Sequence, residues 1–123
     1  MKRILVIEDN ENNMELITFI LEANNYRTLK AETGQKGVAL ALQERPAFII
    51  LDIQLPDISG TEVLKKIRSS EIGDSIPIIA MTSYAMAGDR EKLLAEGCDE
   101  YIEKPIDPLT VMTQIEKVLG GPQ

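Results

Sequence analysis

Histidine is absent from this sequence altogether, and cysteine occurs once, at Cys98. The first absence excludes Ser-His-Asp hydrolysis, Cys-His proteolysis, histidine metal ligation and storage of phosphate on a histidine of the chain itself. The second excludes an internal disulfide and every cysteine-rich zinc scheme. Basic residues are in deficit, with 13 Lys and Arg against 20 Asp and Glu, a net charge of −7. That balance disfavours a surface that tracks nucleic-acid phosphates. No apolar run approaches the ~20 residues of a membrane span. Met1-Lys2-Arg3 and the short apolar burst behind it lack the long apolar region and cleavage site of a secretory signal. The cytoplasm is the expected location, with neither membrane nor nucleic acid as a direct partner. Chemistry, if there is any, must run on carboxylates, hydroxyls and lysines.

What is present is a chain of 123 residues, 44% hydrophobic and 27% charged, the balance of an ordinary globular protein. One domain over residues 1–123 is expected, since domains commonly run from roughly 100 to 150 residues. Short apolar runs alternate with amphipathic stretches. Ile4-Leu5-Val6-Ile7, Phe48-Ile49-Ile50-Leu51 and Ile76 to Met81 are continuously apolar, as parallel strands covered on both faces are. Tyr26 to Ala31 and Asp99 to Glu103 are weaker strand candidates, placed near sheet edges. Helical stripes fall between them: Met14, Ile17, Ile20 and Leu21; Val38, Leu40, Ala41 and Leu42; Val63, Leu64 and Ile67; Leu93 and Leu94; and Leu109, Met112, Ile115 and Leu119. Five strands alternating with five helices specify an open α/β sheet with helices on both faces.

In such folds function collects beyond the carboxyl ends of the strands. The residues there are Glu8-Asp9-Asn10 after the first apolar run, Asp52 after the third, Thr82-Ser83 after the fourth and Lys104-Pro105 after the fifth. Taken singly, each has a plain explanation as a cap or turn residue. Together they would converge three carboxylates, a hydroxyl and a lysine on one small volume. Three anions so close repel unless a cation intervenes. A hard divalent ion held by oxygen ligands, Mg²⁺ above all, resolves the conflict, and Lys104 adds a second positive charge. The set suits phosphoryl transfer, which depends on in-line positioning and charge neutralisation, with a carboxylate as covalent nucleophile.

With these residues in view, the sequence resembles the receiver domains of two-component response regulators over essentially its whole length. The matching stretches are Ile4 to Asn10, Ile50-Leu51-Asp52 through Ser59-Gly60, Ile79-Ala80-Met81-Thr82 and Tyr101-Ile102-Glu103-Lys104-Pro105. Asn10 through Met14, Ile53-Gln54-Leu55-Pro56 and Met86-Ala87-Gly88-Asp89 look most like stand-alone DivK-type regulators and the receivers of hybrid kinases. The resemblance implies a doubly wound (βα)5, flavodoxin-like fold with a five-stranded parallel sheet in order 2-1-3-4-5. It implies that Asp52 accepts a phosphoryl group from a phosphohistidine on a sensor histidine kinase or a histidine phosphotransfer protein. Asp9 is then the direct Mg²⁺ ligand, with Glu8 beside it, often through water, and Asp52 and the backbone carbonyl of Gln54 completing the set; Mn²⁺ is a substitute ion. Lys104 pairs with the acceptor and then the phosphoryl oxygen, and its bond to Pro105 is cis. Thr82 and Tyr101 form the switch pair, while Gln54 and Tyr84 flank the attacking water and tune the lifetime.

The implied role is a signalling phospho-acceptor without separate substrate turnover. Its downstream protein target is expected on the face of the fourth helix, fifth strand and fifth helix, in a monomer or a phosphorylation-dependent dimer. Asp57 and Gly60 are read as turn residues, and Cys98 as a small buried hydrophobe. A receiver fold that docks without phosphorylation stays open as an alternative. An aspartyl-nucleophile phosphatase of the haloacid-dehalogenase type wants a second acid where Gln54 stands. A flavin-phosphate module would be repelled by Glu8 and Asp9.

Overall fold

The apolar runs become strands because β-branched and large aliphatic side chains there cover both sides of a sheet. In a computed structural model, which describes residues 2–70, 73, 75–83 and 89–119, the chain alternates strictly. The elements are β1 (Arg3–Ile7), α1 (Glu11–Ala23), β2 (Arg27–Ala31), α2 (Gly34–Glu44), β3 (Phe48–Asp52), α3 (Gly60–Arg68), β4 (Ile78–Thr82), α4 (Asp89–Glu96), β5 (Glu100–Glu103) and α5 (Val111–Val118). The strands form one five-stranded sheet in the order β2-β1-β3-β4-β5, and every pairing is parallel. This is the doubly wound, flavodoxin-like order that the resemblance implies.

Alternation along each strand divides the core into two layers. Leu5, Ile7, Ile49, Leu51, Ile78 and Ala80 face α2, α3 and α4, where Val63, Leu64, Ile67 and Leu93 meet them. Ile4, Val6, Phe48, Ile50, Ile79 and Met81 face α1 and α5, where Ile17, Leu21, Val111 and Ile115 meet them. Each fully buried Leu or Ile contributes roughly 2 kcal/mol through removal of apolar surface from water. Cys98 sits in the first layer as a buried thiol, and burial, its largest influence, raises its pKa to about 11. Met14 and Met81 are core residues of the second.

Helix starts follow from capping side chains. Asn10, Thr33 and Ser59 each accept a hydrogen bond from a backbone N–H three residues on, at 3.0, 3.2 and 3.2 Å, satisfying donors that a helix leaves free. Two expected apolar stripes hold for most of their length, with Val38, Leu40 and Ala41 on one core layer and Met112, Ile115 and Leu119 on the other, and each loses one residue to solvent. On α2 the deeply buried positions are Gly34, Gly37 and Ala41, while Leu42 is exposed. A Cβ on Gly37 would lie 2.4 Å from Ile7 Cδ1, so at this position the helix approaches the sheet through its backbone. Leu109 precedes α5 and is 89% exposed; Val111 and Ile115 are the buried positions of that helix, with Met112 and Leu119 packed beside them. Among the described residues no helix is long and apolar enough to cross a membrane.

Candidate functional site

Strand register decides which side chains meet. Ile7 pairs with Leu51 across β1 and β3, so Glu8 and Asp52, one residue further along each strand, emerge side by side. Glu8 is wholly buried, and Asp52 and Thr82 are nearly so, at 1% and 2% exposure. Asp9 is exposed beside them. Glu8, Asp9 and Asp52 each offer one carboxylate oxygen, and these atoms lie within 4.8 Å of one another.

Lys104 reaches across from the end of β5. Its Nζ lies 2.8 Å from Glu8 Oε1 and 3.2 Å from Asp52 Oδ2. The approach to Glu8 is close but out of line, and Glu8 Oε1 has no aligned hydrogen-bond donor. Glu8 Oε2 accepts from the Asn10 backbone N–H at 3.1 Å, and Asp52 Oδ1 accepts from the Gln54 backbone N–H at 3.0 Å. Burial first, then Glu8, which can share a proton with it and repels its charge, raise Asp52 to about pKa 6; the Gln54 N–H and Lys104 pull it partly back. For Lys104 burial is the largest influence and lowers the pKa, yet Glu8 and Asp52 together outweigh it and the net shift is upward. A single ammonium is thus held between two buried carboxylates that it does not fully satisfy.

The chemistry of this donor set fits a hard divalent cation. All the clustered atoms are carboxylate oxygens, one buried oxygen lacks an aligned donor, and Asp9 opens the cluster to solvent. The carbonyl of Gln54 belongs to the same loop, and Gln54 is only partly buried.

The hydroxyl of Thr82 accepts a hydrogen bond from the side-chain amide of Gln54 at 3.1 Å. Tyr101 is paired with Ala80 on β4, two residues before Thr82 and therefore on the same face of the sheet. It is half-buried and packs against the layer that contains Ala80 and Leu51. The Lys104–Pro105 peptide is cis. Of the residues singled out in the sequence, Glu8, Asp9, Asp52, Gln54, Thr82 and Lys104 gather at one end of the sheet, and Tyr101 stands one strand away from Thr82. Tyr84 and the stretch Met86-Ala87-Gly88 lie outside the described residues.

Two residues read as turn formers have larger roles. The Asp57 carboxylate accepts from the N–H groups of Gly34 and Gln35 at 2.8 and 2.9 Å, tying the loop after Asp52 to the N-terminus of α2. The Gln35 N–H leads the lowering of its pKa. A Cβ on Gly60 would lie 2.5 Å from Ile53 Cα and 2.8 Å from the Asp52 carbonyl oxygen, so α3 closes on the acceptor loop only because this residue is glycine. The local signal at Asp57, an acid before a Ser-Gly turn, does not reveal a partner 22 or 23 residues away.

A parallel doubly wound sheet with clustered carboxylates and a lysine at its carboxyl edge defines the receiver class, and comparison with known proteins agrees. The family model described as the response regulator receiver domain matches residues 4–116. The chain belongs to that family. It is 40% identical over 119 residues to the polar-differentiation response regulator DivK of Brucella anthropi, covering 97% of each protein. Among solved structures it is similar to the receiver domain of the sensor histidine kinase PA1611 from Pseudomonas aeruginosa PAO1, a crystal structure with a magnesium ion coordinated in the active-site cleft. That pair shares 32% identity at a TM-score of 0.88 over 98% of each chain. A CheY-like response regulator receiver domain from Methanospirillum hungatei JF-1 also matches at 32% identity and a TM-score of 0.88, over 98% of this chain and 94% of that one.

Proposed function

We propose that residues 1–123 act as one receiver domain of a phosphorelay, in which Asp52 accepts a phosphoryl group from a phosphohistidine on a histidine kinase or phosphotransfer protein. The observation that carries this reading is the buried Asp52 carboxylate, held by Lys104 at 3.2 Å beside the Glu8–Asp9 cluster. In the transfer a carboxylate oxygen of Asp52 forms the new O–P bond as the donor's N–P bond breaks, and the imidazole leaves with the electron pair. Asp9, Glu8, Asp52 and the Gln54 carbonyl are the groups that would hold Mg²⁺, or Mn²⁺ in its place. The ion, when bound, neutralises charge on the equatorial phosphoryl oxygens. Lys104 follows the negative charge from carboxylate to phosphoryl oxygen.

Thr82 then turns toward the new phosphoryl group and Tyr101 takes up the vacated space, biasing an equilibrium between two conformers. Gln54 and Tyr84 set the lifetime of the phosphorylated form. The output face is α4, β5 and α5; Leu94 on α4 and Leu109 just before α5 present apolar surface to solvent, and the target is a protein rather than nucleic acid. The chain stores a signal in the cytoplasm rather than turning over a substrate. The carboxylate pair of a dehalogenase-type phosphatase has no counterpart, since Gln54 stands at the second position with its amide on Thr82.

The test is incubation with Mg²⁺ and acetyl phosphate, followed by intact mass. One added phosphoryl mass that Asp52→Asn abolishes supports the proposal. No addition points to a docking module, and hydrolysis of an unrelated phosphomonoester points to a phosphatase.

A further inference from the structure

The side-chain amide of Gln54 is held at its nitrogen end and has a longer contact at its oxygen end. Its Nε2 donates to Thr82 Oγ1 at 3.1 Å, and its Oε1 faces the Ser83 backbone N–H at 3.5 Å. The Ser83 N–H favours this orientation of the amide, because a flipped group would turn one donor toward another. The backbone beneath it is equally constrained. The Gln54 N–H donates to Asp52 Oδ1 at 3.0 Å, the Ile53 N–H to the Met81 carbonyl at 3.0 Å, and the Gly60 N–H to the Ile53 carbonyl at 2.9 Å. Asp57 holds the same loop against α2 at 2.8 and 2.9 Å. A rigid loop therefore presents one amide to one buried hydroxyl, directly beside the acceptor carboxylate.

We infer that Gln54 is a positioning residue that holds the Thr82 hydroxyl in the unphosphorylated arrangement, so that phosphorylation must break the Gln54–Thr82 hydrogen bond before Thr82 reaches the phosphoryl group. This rests on the proposed role of Asp52 as acceptor and Thr82 as switch, and adds a restraint on that switch. Release leaves the Gln54 amide exposed enough to be satisfied by water, so the share of the restraint that Gln54 supplies is one net neutral hydrogen bond. Such a bond biases a two-state equilibrium by roughly three- to tenfold.

The experiment is titration with beryllofluoride in excess Mg²⁺, a stable mimic of the phosphoryl group, followed by the change at Tyr101 in NMR spectra. Wild type, Gln54→Met, Thr82→Ala and the double variant form a thermodynamic cycle. Gln54→Ala, which adds no bulk, replaces the methionine variant if that one unfolds. Gln54→Met is expected to bind beryllofluoride roughly fivefold more tightly than wild type. In the Thr82→Ala background the same substitution is expected to change nothing, an outcome that a general loosening of the loop does not give. Equal effects of Gln54→Met in both backgrounds, or none in either, overturn the restraint. Failure of wild type itself to bind, or equal binding by Asp52→Asn, instead overturns the acceptor reading on which it rests.

Discussion

At the scale of single residues, the site depends on how unequally two neighbouring acids are placed. Glu8 is wholly buried beside Asp52, while Asp9 is exposed, although the two are adjacent in sequence. Sequence alone shows that both lie beyond β1; which of them turns inward is decided by strand register, through the Ile7–Leu51 pairing. The cost of that burial falls on Asp52, whose pKa is raised to about 6, by burial first and by Glu8 next. Its folded value exceeds its unfolded value, so folding favours the protonated form. The associated stability is complete below about pH 4 and is lost as pH rises through about 6. In metal-free protein, Asp52→Asn is therefore expected to be more stable than wild type near pH 7. The gap should narrow by on the order of 2 kcal/mol between pH 7 and 4.5. Urea unfolding of both proteins in EDTA across that range checks it, and a flat difference contradicts it.

At the scale of elements, the strands were legible because continuous apolar runs have one reading in a parallel sheet, whereas the helices were legible only where large side chains mark the buried face. On α2 that rule is incomplete: Val38, Leu40 and Ala41 pack inward as expected, but Leu42 points outward and the close approach is made at Gly34 and Gly37. The ties between elements were not legible at all, because their partners lie far apart in the chain. Arg68 is the clearest case. At the end of α3, it donates to the carbonyls of Gly73, Ile76 and Gly97 at 2.6, 2.7 and 2.8 Å and to Asp99 at 3.0 Å. Asp99 in turn accepts from the Ile78 N–H at 2.8 Å. One guanidinium thus joins α3, the start of β4, the end of α4 and the start of β5. Its side chain is 17% exposed, so its loss strands several carbonyls away from water. Arg68→Ala is expected to lower unfolding free energy by roughly 2–4 kcal/mol. Hydrogen exchange should show the loss of protection concentrated at α4 and β5 rather than at α1. Uniform exchange across the sheet would contradict the joint.

At the scale of the whole molecule, the net charge of −7 and the proposed metal site would make separate contributions to cation binding, and salt distinguishes them. Diffuse attraction to exposed acids is largely screened beyond ~8 Å at 0.15 M ionic strength, whereas a partly buried cluster is screened far less. If the cluster holds a cation as proposed, Lys104 competes with it, its ammonium lying 2.8 Å from Glu8 and 3.2 Å from Asp52. Lys104→Met removes the competing charge and leaves two buried carboxylates without their cation, which destabilises metal-free protein by roughly 2–4 kcal/mol. The same vacancy of charge makes the cluster a stronger site for a divalent ion. Mg²⁺ is therefore expected to bind the variant several-fold more tightly than wild type in ~0.15 M salt, and to restore part of the lost stability. Each tenfold in affinity adds about 1.4 kcal/mol once the ion is in excess. Thermal unfolding over a Mg²⁺ titration reads both quantities at once. If the variant gains no more from Mg²⁺ than wild type does, Lys104 is not set against the metal. If Asp52→Asn keeps the full wild-type response, the ion is bound elsewhere on the acidic surface.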